Sequence, residues 1–306
     1  MMRNKAYVAL FISIVSVSFA AIFITTLLNL YPETEPLSIA FYRLLFTALL
    51  ILPFVILQSK TRQEITTIPR PTFLIMIIIG IILAAHFALW ITSLKYTSVG
   101  SSVILVTAHP ILVGPVSHYF FKERLSIVNT IGIIVSVTGV IILVYGNYGL
   151  GSFTVDSLEG NILAILGGVA AGLYILGGRK TRKTVSVWCY AFIVYSIGTI
   201  GLFFICLFYS VSLTNFSFEA LIIIFLMAIV AGIFGHTLYN WSLEHIRASV
   251  ASVVLLGEPL GSTLLAFALP WIQQTPSYYT IFGGAIILSG IYLTTRKLTT
   301  IKIRNF

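Results

Sequence analysis

The sequence from 94 to 110, LKYTSVGSSVILVTAHP, has a counterpart about half the chain later, from 243 to 259, LEHIRASVASVVLLGEP. Each copy leaves a long apolar run, passes a short polar corner with small residues, and enters a second apolar run. An ionisable residue and a proline interrupt that second run, as His109-Pro110 in one copy and Glu258-Pro259 in the other. Self-similarity at this spacing indicates an internal duplication.

The composition indicates which solvent surrounds the chain. Hydrophobic residues make up 58% of the 306 residues and charged residues only 9%, with a mean hydropathy of +1.03. Soluble domains carry about 25% charged residues, so the chain is predicted to be embedded in a lipid bilayer. Its two cysteines, Cys189 and Cys206, lie in one apolar run, about 25 Å apart on a helix. They cannot pair with each other, and no disulfide framework is expected.

Ten apolar runs approach the roughly 20 residues that a helix needs to cross the hydrocarbon core. The first run has an alternative interpretation as a signal peptide, because Arg3 and Lys5 precede it and Ser18-Phe19-Ala20 resembles a cleavage site. We favour a retained helix, since the apolar run continues to Leu30. The predicted helices cover 7–29, 36–58, 72–95, 98–121, 126–146, 158–180, 186–211, 218–243, 247–270 and 277–295.

Basic residues are distributed unequally between the two ends of these helices. With ten crossings, sixteen of the eighteen Lys and Arg residues fall on one side, Lys95 falls on the other, and Arg43 lies within a helix. The positive-inside rule then places both termini in the cytoplasm. The net charge of +9 is expected to lie beside anionic lipid, and nucleic acid is not an expected partner.

Five helices in each half is an odd number, so the second half must enter the membrane from the opposite side to the first. The predicted fold is therefore an all-α membrane protein with ten transmembrane helices, arranged as two five-helix inverted-topology repeats at 1–147 and 148–306. Transporters with such repeats place the substrate site near the bilayer midplane, between the halves. The duplication is the strongest functional signal in the sequence.

These features, taken in order, resemble the drug/metabolite transporter superfamily, and in particular its ten-helix EamA-like members. The resemblance implies a carrier that exports small organic solutes such as amino acids, metabolites or drugs. One signature of the family, expected again after the ninth helix, is absent at 270–274. The residues that carry the resemblance are 41–45, 98–110, 121–125, Gly132 and Gly139 in the first half, and 248–259, Gly283, Gly284 and Gly290 in the second.

Glu258 lies near the middle of the predicted ninth helix. An ionised side chain at that depth costs about 2.5–3.5 kcal/mol on insertion scales. One interpretation is a carboxyl group in the solute pathway that binds and releases a proton during transport. The other is structural, with a protonated Glu258 hydrogen-bonded to backbone that Pro259 leaves unpaired.

His109 occupies the equivalent position in the first repeat, ahead of Pro110, which is also predicted to kink its helix. Inverted symmetry brings the two helices together near the central axis, so a relation between His109 and Glu258 across a cavity is one hypothesis. The alternative is an interhelical hydrogen bond with no role in transport. His118 and His236 are predicted near the cytoplasmic ends of their helices, in solvent.

Arg43 is predicted about 10 Å below the outer surface, at a depth similar to that of His86 and Trp90 on the third helix. It attracts an anionic or zwitterionic solute in one interpretation and forms a structural ion pair with Glu33 or Glu35 in the other. Together with His109 and Glu258, these three residues are the candidates for the substrate pathway. Close helix packing is expected where small residues recur at four-residue spacing, as at Gly168 and Gly172.

No catalytic, cofactor or metal-binding motif is evident in the sequence. The predicted function is a secondary active transporter in the plasma or inner membrane, an exporter that works by alternating access. Its expected partners are a small-molecule substrate, the lipid bilayer and, if Glu258 takes part, protons. A monomer and a homodimer are both compatible with the sequence. The alternative function is a non-transporting scaffold or lipid-handling subunit.

Overall fold

A computed structural model describes residues 2–97, 99–123, 125–148, 158–269 and 277–295, and within these ranges the chain is helical and contains no strand. The stretch at 270–274, where the resemblance departs from the family, lies outside the described residues. In the first half the helices are α1 (Met2–Leu30), α2 (Pro36–Leu57), α3 (Ser59–Thr67), α4 (Arg70–Tyr96), α5 (Val99–Thr107), α6 (Pro110–Phe120) and α7 (Ile127–Tyr148).

The second half begins with α8 (Leu158–Thr181) and ends with α14 (Tyr278–Thr295). Its third crossing is composite, because a π-helix separates two α-helical segments. The remaining helices are α9 (Val187–Phe208), α10 (Phe218–Met227), the π-helix (Ala228–Thr237), α11 (Leu238–Ser242), α12 (Ala248–Val254) and α13 (Gly257–Ala268).

Within the described ranges, nine helical segments are long and apolar enough to cross a membrane. One of them is α12 and α13 counted together, and a tenth crossing consists of the shorter helices α5 and α6. The predicted multi-pass helical membrane fold is therefore confirmed. The long α1 packs against the π-helix, α11 and α13, so it is part of the bundle.

The short helix α3 was not predicted. Its sequence, SKTRQEITT, is too polar and too short to give a transmembrane signal. It packs against α9, and the backbone N–H of Ser186 donates to Glu64 Oε1 at 2.7 Å. The helix therefore connects α2 to α4 at one end of the bundle.

Contacts between helices follow the internal duplication. The α2 helix packs on its equivalent α9, and α7 packs on its equivalent α14. The contact of α4 with α8 is mirrored by the contact of α1 with α10, the π-helix and α11. This reciprocal pattern fits an inverted repeat, in which the same surfaces of each half meet their counterparts.

The tightest helix contact lies between α7 and α14 and depends on glycine. A Cβ atom on Gly139 would lie 2.8 Å from the carbonyl oxygen of Gly283, and one on Gly283 would lie 2.6 Å from the backbone nitrogen of Leu143. Gly132 and Gly290 make an equivalent contact further along the same pair. Only a missing side chain permits backbones to approach this closely.

The predicted close packing at Gly168 and Gly172 is also present. A Cβ atom on Gly168 would lie 2.8 Å from the carbonyl oxygen of Val106, and one on Gly172 would lie 3.0 Å from Leu112 Cδ2. These contacts hold α8 against α5 and α6, the two halves of the fourth crossing.

Candidate solute pathway

The fourth and ninth crossings are both broken at the same point of the repeat. In the fourth, α5 ends at Thr107 and α6 begins at Pro110, with His109 as its N-cap. In the ninth, α12 ends at Val254 and α13 begins at Gly257, so Glu258 lies in the first turn of α13. Transporters with inverted repeats use such discontinuous helices near the midplane, because the N-terminus of a half-helix carries a partial positive charge.

Arg43 is buried within the bundle, with 2% of its surface exposed. Its guanidinium carbon lies 4.7 Å from the centre of the Phe87 ring, and Nη1 has no hydrogen-bond partner among the described residues. The ion pair with Glu33 or Glu35, which is one of the two interpretations, is not formed among the described residues, where Glu35 Oε2 lies 3.8 Å from Lys95 Nζ. Arg43 is therefore a buried cation without a direct counter-ion in the described part of the chain.

The π-helix lies next to Arg43. Thr47, one turn after Arg43 on α2, donates to the Arg43 carbonyl oxygen at 2.7 Å and packs against Gly232. The Phe87 ring that lies under Arg43 also meets the His236 ring edge-on, with centroids 5.6 Å apart. Both contacts place the π-helix on the same side of the bundle as the guanidinium.

The π-helix also contacts α1, which connects it to Glu258. Gly235 of the π-helix packs against Val17, since a Cβ on Gly235 would lie 2.7 Å from Val17 Cγ1. The next residue, Ser18, donates to the Glu258 carbonyl oxygen at 3.2 Å. Ser262, one turn later on α13, donates to the Ser18 carbonyl oxygen at 3.0 Å. The first turn of α13 is thereby fixed beside α1 and the π-helix.

These contacts place Glu258 within electrostatic range of Arg43. The two groups are not joined by a direct ion pair among the described residues, where Arg43 is buried and Glu258 is half-buried. Arg43 belongs to the first repeat and Glu258 to the second. The pair therefore lies where the two halves of the molecule meet.

His86 and Trp90 extend the aromatic surface beside Phe87. His86 is buried, its Nδ1 lies 2.9 Å from the carbonyl oxygen of Gly167, and its ring stacks on Trp90 with centroids 6.0 Å apart. Trp90 Nε1 has no hydrogen-bond partner among the described residues. His86 is fixed by the backbone carbonyl of Gly167, whereas the buried indole N–H of Trp90 is not held by a hydrogen bond to the described residues.

His109 lies at the start of α6, and its hypothesised relation to Glu258 across a cavity stays a prediction. It is buried, with 6% exposed, and its Nδ1 lacks a partner in the described part of the chain. Its electrostatic neighbour is His86, whereas that of Glu258 is Arg43. The two helix breaks are related by the repeat, but their ionisable side chains have different electrostatic neighbours.

Several polar groups near Arg43 were missed by the sequence analysis. His236 is half-buried against Phe87, not in solvent as predicted. Asn240 Nδ2 donates to Tyr174 Oη at 2.6 Å and to Tyr195 Oη at 3.0 Å, and Tyr195 lies within electrostatic range of Arg43. Tyrosines in an apolar run give no sequence signal of this network, because their hydroxyl groups find one another only after the helices pack.

Glu123 joins three segments at one end of the bundle, which we call the Glu123 end. Its Oε1 accepts from Arg179 Nε at 2.7 Å, and its Oε2 accepts from the backbone N–H of Ala248 at 3.0 Å. Arg179 also donates to the carbonyl oxygens of Leu243 and Glu244, at 2.6 and 2.9 Å. The residues after α6, the end of α8 and the start of α12 are thus held together.

A second ion pair lies at the same end, between Arg182 and Glu244. Arg182 Nη2 lies 2.7 Å from Glu244 Oε2, and its Nε donates to the Asn240 carbonyl oxygen. Burial lowers the pKa of the Arg182 guanidinium from its ordinary value, and the Glu244 carboxylate acts in the opposite direction. The pair strengthens the connection between α8 and the corner that precedes α12.

The opposite end has a looser set of contacts. Thr97 donates to Asn161 Oδ1 at 2.8 Å, and the Lys95–Glu35 pair is about half exposed on both side chains. An open cleft is lined there by Leu28, Pro32, Thr34, Glu35, Pro36, Leu94 and Lys95. None of the predicted pathway residues lines this cleft.

Metal-ligating residues are not clustered in the described ranges, where no three His, Cys, Asp or Glu side chains are placed to hold an ion. Cys189 and Cys206 are both free and buried. The arrangement offers a buried cation, a carboxyl group, aromatic faces and unpaired N–H groups, which suits binding more than bond-breaking chemistry.

A model of the EamA-like transporter family matches the chain twice, over residues 4–145 and 158–296. The chain belongs to this family. The two matches correspond to the two sets of helices whose contacts mirror each other, so the family resemblance expected from the sequence is confirmed.

Similar family members include an uncharacterised transporter of Bacillus subtilis, YdfC, which is 23% identical over 276 residues covering 89% of this chain and 86% of that protein. An uncharacterised transporter of Archaeoglobus fulgidus is 24% identical over 278 residues, covering 87% and 89%. A solved crystal structure has a TM-score of 0.78 at 17% identity and covers 95% of this chain and 96% of that one. The structural likeness shows the fold, and the family supports a membrane transporter.

Proposed function

We propose that this chain is a secondary active transporter that exports small organic solutes, such as amino acids, metabolites or drugs, by alternating access coupled to protons. The observation that carries the proposal is the buried Arg43, whose Nη1 has no hydrogen-bond partner among the described residues and which lies within electrostatic range of Glu258 of the second repeat. An uncompensated cation inside a membrane protein is costly and marks a substrate or ion pathway. A solute that binds between the repeats supplies the missing partner.

The distribution of positive charge supports an orientation in which the Glu123 end faces the cytoplasm. Both termini are then cytoplasmic, in the plasma or inner membrane, and the boundary between the repeats at about residue 148 lies outside. In this orientation the contacts of Glu123 with Arg179 and Ala248 close the cytoplasmic end. Alternating access requires these contacts to break when the solute enters from the cytoplasm.

Glu258 is the group proposed to exchange the proton. It is half-buried in the first turn of α13 and is electrostatically coupled to Arg43. A carboxyl group at this depth changes charge when a proton binds, so the free energy of each conformation depends on its protonation. The exchange requires no cofactor, and the proposal includes no catalytic step.

The first test is solute flux into proteoliposomes with an imposed pH gradient, with amino acids and small aromatic amines as solutes. We compare the wild type with Glu258→Gln and with Glu219→Gln, whose carboxyl group is exposed at the start of α10. Gradient-driven flux in the wild type and in Glu219→Gln, but not in Glu258→Gln, is the expected result.

Two other outcomes separate the alternatives. Flux that ignores the gradient and is equal in all three proteins contradicts proton coupling at Glu258 and leaves a facilitator. No flux of any solute by folded protein contradicts the transporter proposal and favours a scaffold or lipid-handling subunit.

A further inference from the structure

We infer that the second repeat binds a water molecule inside the bundle, near the Glu123 end, between Arg182 Nη1, Tyr190 Oη and Asn240 Oδ1. The three residues come from different segments, since Arg182 follows α8, Tyr190 lies on α9 and Asn240 lies on α11. None of them is a predicted pathway residue. The inference goes beyond the proposed function, because the site does not depend on the transport of any solute.

The three atoms are buried and have no hydrogen-bond partner among the described residues. Arg182 is 1% exposed, and Tyr190 and Asn240 are fully buried. The remaining nitrogens of the guanidinium are bonded, Nε to the Asn240 carbonyl oxygen at 3.1 Å and Nη2 to Glu244 Oε2 at 2.7 Å. Removing a polar group from water without giving it a partner is costly, so nearly all such groups bond to protein or to bound water.

Gly178 shows that the unpaired groups converge on one place. A Cβ on Gly178 would lie 3.1 Å from Tyr190 Oη and 3.6 Å from Asn240 Oδ1. The backbone N–H of Arg182 donates to the Gly178 carbonyl oxygen at 2.8 Å, and the guanidinium reaches Asn240 through the bond from Nε. Because glycine has no side chain, both oxygens face the same point of α8 without a side chain of that residue between them.

Water matches the hydrogen-bonding capacity of these atoms. Asn240 Nδ2 donates to Tyr174 Oη at 2.6 Å and to Tyr195 Oη at 3.0 Å, which leaves Oδ1 as an acceptor. If the amide were turned over, the tyrosine hydroxyls would donate to Oδ1 and Nδ2 would be unpaired, so one amide atom is left for water in either orientation. Arg182 Nη1 can only donate, and the Tyr190 hydroxyl can donate or accept. One water therefore makes the roughly three hydrogen bonds that are typical of a buried water.

The charges around the site favour a neutral ligand. The positive charge of Arg182 is already matched by the Glu244 carboxylate, at 2.7 Å. An anion would add an unbalanced negative charge to a buried place, and a cation would lie against the guanidinium. Water is the smallest neutral molecule that both donates and accepts.

The water site lies on a row of polar groups that leads toward Arg43. Tyr195 Oη accepts from Asn240 Nδ2 at 3.0 Å and from Thr237 Oγ1 at 3.3 Å. Thr237 is the last residue of the π-helix, which packs against the turn of α2 that follows Arg43. At its other end the row reaches Glu244, whose side chain is 40% exposed. The bound water therefore has a polar route to the solvent at the Glu123 end.

X-ray hydroxyl-radical footprinting of the full chain in detergent tests the site. The X-rays form radicals from water itself, so a buried side chain is oxidised where a water molecule touches it. Tyr190 should be oxidised at least about fivefold faster than Met76, which is fully buried in the apolar core. Methionine is intrinsically the more reactive of the two side chains, so the opposite order is expected if both are dry.

Two glycine variants test where the water lies. In Gly178→Ala the new methyl group would lie 3.1 Å from Tyr190 Oη and displace the water, so oxidation of Tyr190 should fall at least about fivefold. Gly177→Ala is the matched control and should keep the wild-type rate, because its Cβ would meet Ile79 Cγ1 on α4. The thermal unfolding midpoint shows that each variant is folded, and the comparison with Met76 in the wild type does not depend on either variant.

Three results would overturn the inference. The first is oxidation of Tyr190 no faster than that of Met76. The second is an equal rate at Tyr190 in folded Gly178→Ala and in the wild type, since the radicals then reach Tyr190 by another route. The third is an equal fall in both glycine variants, which would remove the assignment to the Gly178 side of α8. None of these measurements uses a solute, so a failure of transport would overturn the proposed function and leave this inference in place.

Discussion

Glu123 Oε1 lies 2.7 Å from Arg179 Nε, and Glu123 Oε2 accepts a hydrogen bond from the backbone N–H of Ala248. Both side chains are largely buried, with 6% and 12% exposed. Glu123 belongs to the motif at 121–125 that carries the family resemblance, and a salt link or a helix cap is expected there from the sequence. The structure gives it both roles, since it pairs with the end of α8 and caps the start of α12.

Replacing Glu123 is expected to open the end that we propose to be cytoplasmic. Glu123→Ala removes one member of a buried ion pair, a change that typically costs about 3–5 kcal/mol. The segments it joins should separate more often. Labelling of a cysteine introduced at Ser249, which is 1% exposed beside the contact, should become about tenfold faster with a maleimide applied from that side.

Glu219→Ala, at the opposite end of the bundle, is the control and should leave the labelling rate unchanged. Equal labelling in Glu123→Ala and the parent protein would mean that the contact does not close this end. The thermal unfolding midpoint, measured in parallel, distinguishes opening of the Glu123 end from general unfolding.

The contact of α7 with α14 should be intolerant of a single methyl group. In Gly283→Ala the new Cβ would lie 2.6 Å from the backbone nitrogen of Leu143 and 2.7 Å from the carbonyl oxygen of Gly139, and neither backbone atom can move alone. We expect a loss of about 2 kcal/mol or more. The measurement is the thermal unfolding midpoint in detergent.

The adjacent variant Gly284→Ala is a matched control. Its new Cβ would meet Leu260 Cδ1 at 2.7 Å, the end of a side chain that can rotate. Both variants gain the same helix propensity, so a difference between them reports the backbone contact. Equal midpoints would show that α7 and α14 can separate without loss of stability.

The tyrosine network of the second repeat should depend on Asn240. Asn240→Ala leaves the Tyr174 and Tyr195 hydroxyls without their shared donor in a buried site. Tyr195 Oη still accepts from Thr237 Oγ1 at 3.3 Å, but each lost buried hydrogen bond costs about 0.5–1.5 kcal/mol, so the unfolding midpoint should fall. Asn215→Ala, in the exposed segment between α9 and α10, should not change it. A midpoint for Asn240→Ala equal to that of Asn215→Ala would contradict the role of the network.

The helix breaks show how far the sequence could be used to predict the site. Pro110 and Pro259 predict interruptions, because each removes a backbone donor, and the described helices stop and restart beside them. The relation between the interruptions could not be predicted in the same way. Side-chain direction depends on the rotation of each half-helix, which no spacing along the chain specifies, and the electrostatic neighbour of His109 is therefore His86 while that of Glu258 is Arg43.

The polar groups around Arg43 illustrate a second limit. His236 lies in a π-helix, and the small residues at 228–235 permit close packing without predicting that winding. Its ring meets Phe87 because the wider turn alters the direction of the side chains on this segment. A regular α-helix drawn from the sequence places His236 near a helix end, in solvent.

The sequence by itself determined that the chain is a membrane protein with ten crossings in two repeats, because hydrophobic length and charge asymmetry are local properties that a bilayer selects directly. It also marked Arg43 and Glu258 as costly residues at membrane depth. Only the tertiary structure decided that these two residues, one from each repeat, lie within electrostatic range of each other. The reason is that contacts between repeats depend on helix rotation, on a π-helical turn and on glycine contacts, all of which arise when the helices pack.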